Sequence, residues 1–274
     1  MIRPAAWRKA GLRCALGLGL FFFYAPIVLV ILFSFNATSS AAVWAGFSLR
    51  WYRELAGNDD ILHAARLSVS IAAMSATGAT ALGTLVAFVL SRYGRFRGRA
   101  VLASMATSPL VMPEIIIGVS MLLLFVGMDE LFGWPHGRGA LTITLAHITY
   151  TAAFVAVVVQ GRFANFDLSM EEAALDLGAR PPTVFLLITV PLIAPAMIAG
   201  WLLGFSISLD DVVLTQFTSG PGSTTLPLLI FSMVRHGVKP DINAIATLFV
   251  AFAALVTVAI VLVQRWRAGE ESAS

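Results

Sequence analysis

Ser169-Met-Glu-Glu-Ala-Ala-Leu-Asp-Leu-Gly178, followed by Ala179-Arg180-Pro181-Pro182, is the stretch on which the reading of this chain turns. Ser169 with Glu172 three residues later has the form of a capping box. Met170 to Leu177 supplies good helix formers, with acids in the first turn where the helix dipole favours them. Gly178 can take the left-handed conformation that stops a helix. Pro181 and Pro182 cannot continue that helix, but one of them can open the next. The segment therefore predicts a two-turn helix, a glycine elbow and a second helix. Met170, Ala173, Ala174 and Leu177 fall on one face at helical spacing. A helix of about eight residues is marginal alone. It either docks on a partner or packs on its own protein as a connector.

The surroundings of this segment are apolar. Of 274 residues 58% are hydrophobic and only 12% charged, where a soluble domain carries about 25% charged residues. With a mean hydropathy of +0.87, that excludes a soluble enzyme, a disordered chain and a nucleic-acid binder. The single cysteine, Cys14, excludes a disulfide framework and a Cys-rich metal site. The only lysines, Lys9 and Lys239, do not follow a glycine, so no phosphate-binding loop of the G-x-x-x-x-G-K-[ST] type exists. No cofactor is expected on this chain. Any ATP and Mg must be bound by another subunit.

Six runs approach the roughly 20 apolar residues that a bilayer-crossing helix needs. They lie at about 14–35, 67–90, 101–126, 140–159, 193–214 and 243–263, so residues 1–274 read as one all-α transmembrane domain. The start of the fifth run falls between Val184 and Ile193, and the later start is preferred because Val212 to Leu214 are still apolar. The first run is too long for a cleaved signal peptide and lacks a small-residue cleavage site after Phe35. Six spans put both termini on one side. Arg3, Arg8, Lys9, Arg13, Arg92, Arg95, Arg97, Arg99, Arg162, Arg180, Arg265 and Arg267 share that side, twelve of the 18 basic residues. The positive-inside rule makes it the cytoplasm. Against that pattern the cytoplasmic loop 161–191 is acidic: Asp167, Glu171, Glu172 and Asp176 outnumber Arg162 and Arg180. The departure gives the loop a task beyond connection.

Glu172-Ala173-Ala174, then Gly178, then Ile188-x-Val190-Pro191 resembles the EAA loop of the inner-membrane permeases of ABC importers. Val190 stands where the family form has leucine. The resemblance implies a type I (MetI-like) permease core and makes Ser169, Glu171, Glu172, Ala173, Ala174, Gly178 and Pro191 the candidate ATPase-coupling residues. Tyr24-Ala-Pro, Ser34-Phe-Asn36, Pro109-Leu-Val-Met-Pro-Glu114, Ser208-Leu-Asp-Asp211, Ser219 to Pro227 and Val234 to Asn243 are similar to the polyamine-importer permeases, most of all the second permease subunit of putrescine importers. That likeness implies a homodimer of ATP-binding subunits, a second homologous permease, a periplasmic substrate-binding protein and a bacterial inner-membrane location. It also implies a non-enzymatic role.

The charges inside the apolar runs point the same way. Ionisable groups within a bilayer are costly and usually functional. Here they are acids, Glu114, Asp210 and Asp211, with no Lys or Arg inside a run. That asymmetry favours a cationic cargo. Glu114 should lie about 20 Å along the third span, between Pro109 and Pro113, where freed carbonyls could help receive an ammonium. A pairing with the sister subunit would also explain it. Asp210 and Asp211 should point about 100° apart on one helix, so only one can face the path squarely. Trp44, in the first outer loop, is a candidate cation-π partner or an interfacial anchor. Trp201 reads as core, and His147 as a satisfied core histidine. Leu226 to Val234 is too short to cross and reads as a surface helix on the outer side. The expected function is the permease of an ATP-driven putrescine importer. The same architecture with spermidine or a ferric chelate is the alternative. A self-contained channel or secondary transporter leaves the acidic loop unexplained, and an intramembrane hydrolase lacks a recognisable catalytic set.

Overall fold

A computed structural model describes residues 4–38, 43–164, 166–235 and 241–252, with 254, 255 and 258 beyond them, and side chains from residue 11. Its elements are helices, with one isolated bridge between Asn36 and Phe47. The chain divides into two compact units, Met1–Leu62 with Ile230–Ser274, and His63–Leu229.

The first unit opens with α1 (Pro4–Phe33), whose stretch Gly11–Phe33 is long and apolar enough to cross a membrane. Its side chains are almost all uncovered, as befits a helix whose solvent is lipid. The chain then turns around Asn36, which is fully buried. The Asn36 amide donates to the Val43 carbonyl at 2.7 Å and accepts from the Ala45 N–H at 2.9 Å. Its backbone carbonyl receives the indole N–H of Trp51 at 2.7 Å. Trp51 belongs to α2 (Arg50–Ala56). Asn58 caps α3 (Asp59–Arg92) by accepting the N–H groups of Asp60 and Ile61. The unit also holds a helix at Asp241–Phe252. Apart from 254, 255 and 258, the remainder of the expected sixth run, to residue 263, lies outside the described residues, as do His236, Lys239, Arg265, Arg267 and the tail.

The second unit is built on α6 (Ala140–Phe163), more than half of whose apolar window is buried. α3 and α8 (Pro181–Asp210) pack against it through small residues. Ala72, Ala76, Ala79 and Ala87 of α3 are fully buried. Close approach of backbones is how helices associate where lipid supplies no hydrophobic drive. At Gly83 the fit leaves no room: an added Cβ would lie 2.8 Å from the Ala152 carbonyl oxygen. At Gly200 it would lie 2.9 Å from Val155 Cγ1.

Two expected spans are broken. The third is not continuous from 101 to 126 but forms α4 (Arg99–Val111) and α5 (Glu114–Phe132), separated by Met112 and Pro113 in extended conformation. Proline disfavours the helical region for the residue before it, so Met112 is driven out. Pro109 also leaves the Met105 carbonyl without its helical donor, and the Ser108 hydroxyl fills that role at 3.1 Å. α4 is too short to cross, and Glu114 opens α5 rather than lying deep within a longer helix. The fifth helix starts at Pro181, earlier than the preferred 193, and stops at Asp210 instead of 214. Pro191 has no N–H, and the residues before it, Phe185–Thr189, widen into a π turn closed by the Val190 N–H on the Phe185 carbonyl. Past the break at Asp211, α9 (Val213–Thr218) packs against α5 and α6, and α10 (Leu226–Arg235) follows.

Substituting Gly83 by Leu should lower the stability of the detergent-solubilised protein by about 2–3 kcal/mol, because the clash is with backbone that cannot yield. A thermal melt reads this, with Gly127→Ala as the control, since a Cβ there meets nothing within 4 Å.

Candidate functional site

The acidic loop folds into α7 (Ser169–Asp176). Ser169 does not cap it. The helix begins at Ser169 itself, and the Asp167 carboxylate accepts the Ser169 N–H at 2.9 Å. A carboxylate outcompetes a hydroxyl for a free N–H, and that bond lowers the Asp167 pKa from its ordinary value. Gly178 is left-handed, φ +87°. The Ala179 N–H returns to the Ala174 carbonyl and the Gly178 N–H to that of Leu175, which is a Schellman stop. Arg180 is extended and Pro181 opens α8.

The two adjacent acids of α7 face different ways. Glu172 is exposed, as are Met170, Ala173 and Leu177, the last at 89%. Ala174 is half-buried. Glu171 turns inward: the Arg92 guanidinium, at the end of α3, donates to it at 2.8 Å, and the Thr189 hydroxyl of the π turn donates at 2.6 Å. Both charged side chains are only 13% exposed. The guanidinium also lies over the rings of Phe163 and Phe166, 5.2 and 4.5 Å from their centroids. A cavity of about 180 Å³ adjoins this node, lined by Phe88, Tyr93 and Phe185 among others. Pro191 lies just beyond, in the helix body, and does not line that cavity.

A second cavity, of about 430 Å³, is lined by Glu114, Tyr150, Phe154, Asp210, Asp211 and Val213. The three sequence-flagged acids are thus brought to one place. Their environments differ. Tyr150 donates its hydroxyl to Glu114 at 2.9 Å and packs edge-on against Phe154. Asp210, exposed at the end of α8, receives no hydrogen bond or ion pair from another described side chain. Asp211 accepts four donors: the N–H groups of Leu214 and Thr215, the Thr215 hydroxyl and His147 Nε2. The helix ends between the two aspartates, so the expected angular separation on one helix does not apply. Among the described residues none with a positive charge lines this cavity.

Trp44 belongs to the other unit, half-exposed, with its ring edge-on to Phe33. Trp201 donates to Thr77 at 3.1 Å and stacks on Phe205. His147 is 2% exposed and fully bonded. Ser208, His147 and Asp211 line up by hydrogen bonds, but Ser208 is buried at 6% and could not meet a substrate. Arg92, Thr189, Tyr150 and Ser208 were not among the candidate site residues of the sequence reading. Only Tyr150 carried a signal, a phenol inside an apolar run that must find a partner. The partner of Arg92 lies 79 positions away. Among the described residues no group of acids, histidines or cysteines is arranged to hold a metal ion.

Residues 79–268 match the family of binding-protein-dependent transport system inner membrane components. The putrescine transport system permease protein PotI of Escherichia coli (strain K12) is 54% identical over 239 residues, 87% of this chain and 85% of PotI. The spermidine/putrescine transport system permease protein PotC of Haemophilus influenzae is 41% identical over 244 residues, 89% of this chain and 92% of PotC. Among solved structures, a bacterial ABC transporter involved in import of the acidic polysaccharide alginate shares the fold, with a TM-score of 0.69 at 17% identity, covering 97% of this chain and 99% of that one.

Removing one partner of a nearly buried ion pair strands the other charge. Arg92→Met and Glu171→Leu should each destabilise the protein by about 3 kcal/mol, and the double variant should recover most of the loss. Thermal melts of the four proteins in detergent check this.

Proposed function

The chain belongs to the binding-protein-dependent transport system inner membrane components, and we propose that it is the permease of a putrescine importer in the bacterial inner membrane. The observation that carries the cargo assignment is the cavity, where Asp210 and the Tyr150-held Glu114 face a space that no cationic side chain lines among the described residues. Carboxylates and aromatic rings together suit an ammonium group. A diamine offers one ammonium to Asp210 and keeps the second for a carboxylate elsewhere in the assembly. The likeness to putrescine and spermidine/putrescine permeases supports a polyamine, and the greater identity to the putrescine permease supports putrescine.

The chain is a multi-pass membrane protein and a transport component, not an enzyme. In our reading both termini are cytoplasmic, and a homodimer of ATP-binding subunits carries ATP and Mg. A second homologous permease completes the channel, and a periplasmic protein delivers the cargo. No cofactor is held by this chain. The exposed face of α7, with Met170, Ala173, Leu177 and Glu172, is the surface offered to the ATP-binding subunit. Glu171 serves that surface from behind, by tying α7 to α3 and to the start of α8. When the ATP-binding subunits close, α7 moves as one piece with that start.

Labelled putrescine uptake in cells lacking their polyamine importers, with the complete system restored, tests the reading. Uptake should depend on this chain, resist a tenfold excess of spermidine, and fall at least tenfold in Asp210→Asn. Uptake indifferent to the chain would overturn the cargo. Gly178→Asp should insert normally, because a Cβ there meets nothing of the chain itself, yet lose uptake by tenfold or more. A side chain strains the left-handed turn, and the charge intrudes on the docking face. Membrane level and uptake, measured together, separate these effects.

A further inference from the structure

Asp210 and Asp211 are neighbours, yet one is free and the other is saturated with donors. Three of the four donors to Asp211, the N–H groups of Leu214 and Thr215 and the Thr215 hydroxyl, come from the α9 segment that follows it. They fold Asp211 onto its own chain but fix nothing to the rest of the unit. The fourth, His147 Nε2 at 3.2 Å, comes from α6. The other ring nitrogen, Nδ1, meets the Ser208 hydroxyl at 2.7 Å. Ser208 lies in the last turn of α8. One imidazole therefore holds both sides of the break, Ser208 before it and Asp211 with Thr215 after it.

The ring can do this while neutral. An ionised Asp211 requires the proton on Nε2, and Nδ1 then accepts from the Ser208 hydroxyl, which leaves no nitrogen unpaired. This polarity is the reverse of a hydrolytic triad, in which the hydroxyl faces Nε2 and the carboxylate faces Nδ1. At 2% exposure His147 does not reach the cavity, and Asp211 has a side chain only 7% exposed. Neither is free to meet a cation.

We propose that His147 is a positioning residue of the cation path. By clamping the α8–α9 break, it withdraws Asp211 into the cap of α9 and leaves Asp210 as the carboxylate that meets the cargo. This rests on the cavity being the cation path, and the geometry of the break can be tested apart from that. If α8 ran on through Asp211, the two carboxylates would stand about 100° apart on one helix and neither would be singled out. The identity of the acid in the path is then decided by a residue that never touches the cargo.

The test uses the complete transporter in membranes, with Cys14→Ser to remove the native thiol. A cysteine is introduced at Asp210 or, as the control one turn earlier on the exposed face of α8, at Ser206. The probe is a small cationic thiosulfonate. Asp210→Cys should react readily. Adding His147→Leu should lower the rate at 210 at least fivefold while the rate at 206 stays within twofold. His147→Gln, which keeps a donor and an acceptor, should return position 210 to within twofold of its starting rate. A rate at 210 indifferent to His147→Leu, or rates at 210 and 206 that change together, would overturn the proposal. If His147→Leu does not accumulate, His147→Asn takes its place. Its shorter reach cannot bridge Ser208 and Asp211, and equal rates at 210 in His147→Gln and His147→Asn would overturn the proposal. Failure of the cation-path reading looks different: Asp210→Asn would then import putrescine normally, whatever the labelling pattern.

Discussion

Close contact of α3 and α8 with the central helix α6 is the constraint on which the rest of the His63–Leu229 unit depends. Lipid tails are as apolar as leucine, so helices inside a bilayer gain little by hiding apolar surface from each other. They gain by packing tightly, and tight packing needs small residues. Gly83 and the alanines of α3, and Gly200 of α8, provide them against Ala152 and Val155 of α6. Once α6 is fixed in this way, the positions of its other buried side chains are set as well. His147 and Tyr150 fall beside the end of α8, and Phe163 falls under the guanidinium of Arg92.

Breaking a helix in such an environment carries a cost, because an unpaired backbone group has no water to turn to. Polar side chains meet some of these freed groups. Ser108 covers the carbonyl that Pro109 abandons. Asp211 takes two N–H groups at the start of α9, and Thr142 donates to the Thr218 carbonyl at its end. What remains uncommitted is informative by contrast, and Asp210 is the clearest case. In our reading an acid to which no other described side chain donates, beside a cavity, is held for a ligand.

The sequence disclosed whatever depends on local chemistry or on composition. The low charge and the apolar runs announced a membrane protein, and Gly178 with Pro181 announced the elbow, because each acts within its own turn. The break at Met112 and Pro113 was also locally encoded, yet hydropathy conceals it: Val101 to Val126 is apolar on both sides of the proline, and a window average reads straight through. Asp167 displaced Ser169 as the acceptor at the start of α7 because the stronger acceptor stood two residues earlier. Glu171 and His147 were singled out in the sequence, but the partners that make the Arg92–Glu171–Thr189 node and the His147 clamp could not be read. Their members lie on different helices, up to 79 positions apart, and a single arginine at the end of a span looks like any other that reaches for the interface.

The two sites are joined by α8. It begins at Pro181, three residues past the Gly178 elbow that ends α7, and finishes at Asp210. Thirty helical residues make it about 45 Å long. Near its start the Thr189 hydroxyl is bonded to Glu171, so α7 and the foot of α8 share one carboxylate. A displacement of α7 in our reading therefore cannot be absorbed at the elbow alone and is passed into α8. The π turn at Phe185–Thr189 is the place where the helix can change its winding without losing its hydrogen bonds. Beyond it the helix is tied to α6 by packing at Gly200 and by His147 at its far end. A rigid rod held at its far end and driven at its foot rotates or tilts; it does not translate freely. The group carried on the tip is Asp210. A carboxylate on the tip of a lever that rotates changes what it faces, and in our reading that is how ATP binding on the partner subunits alters the grip on a cation at Asp210.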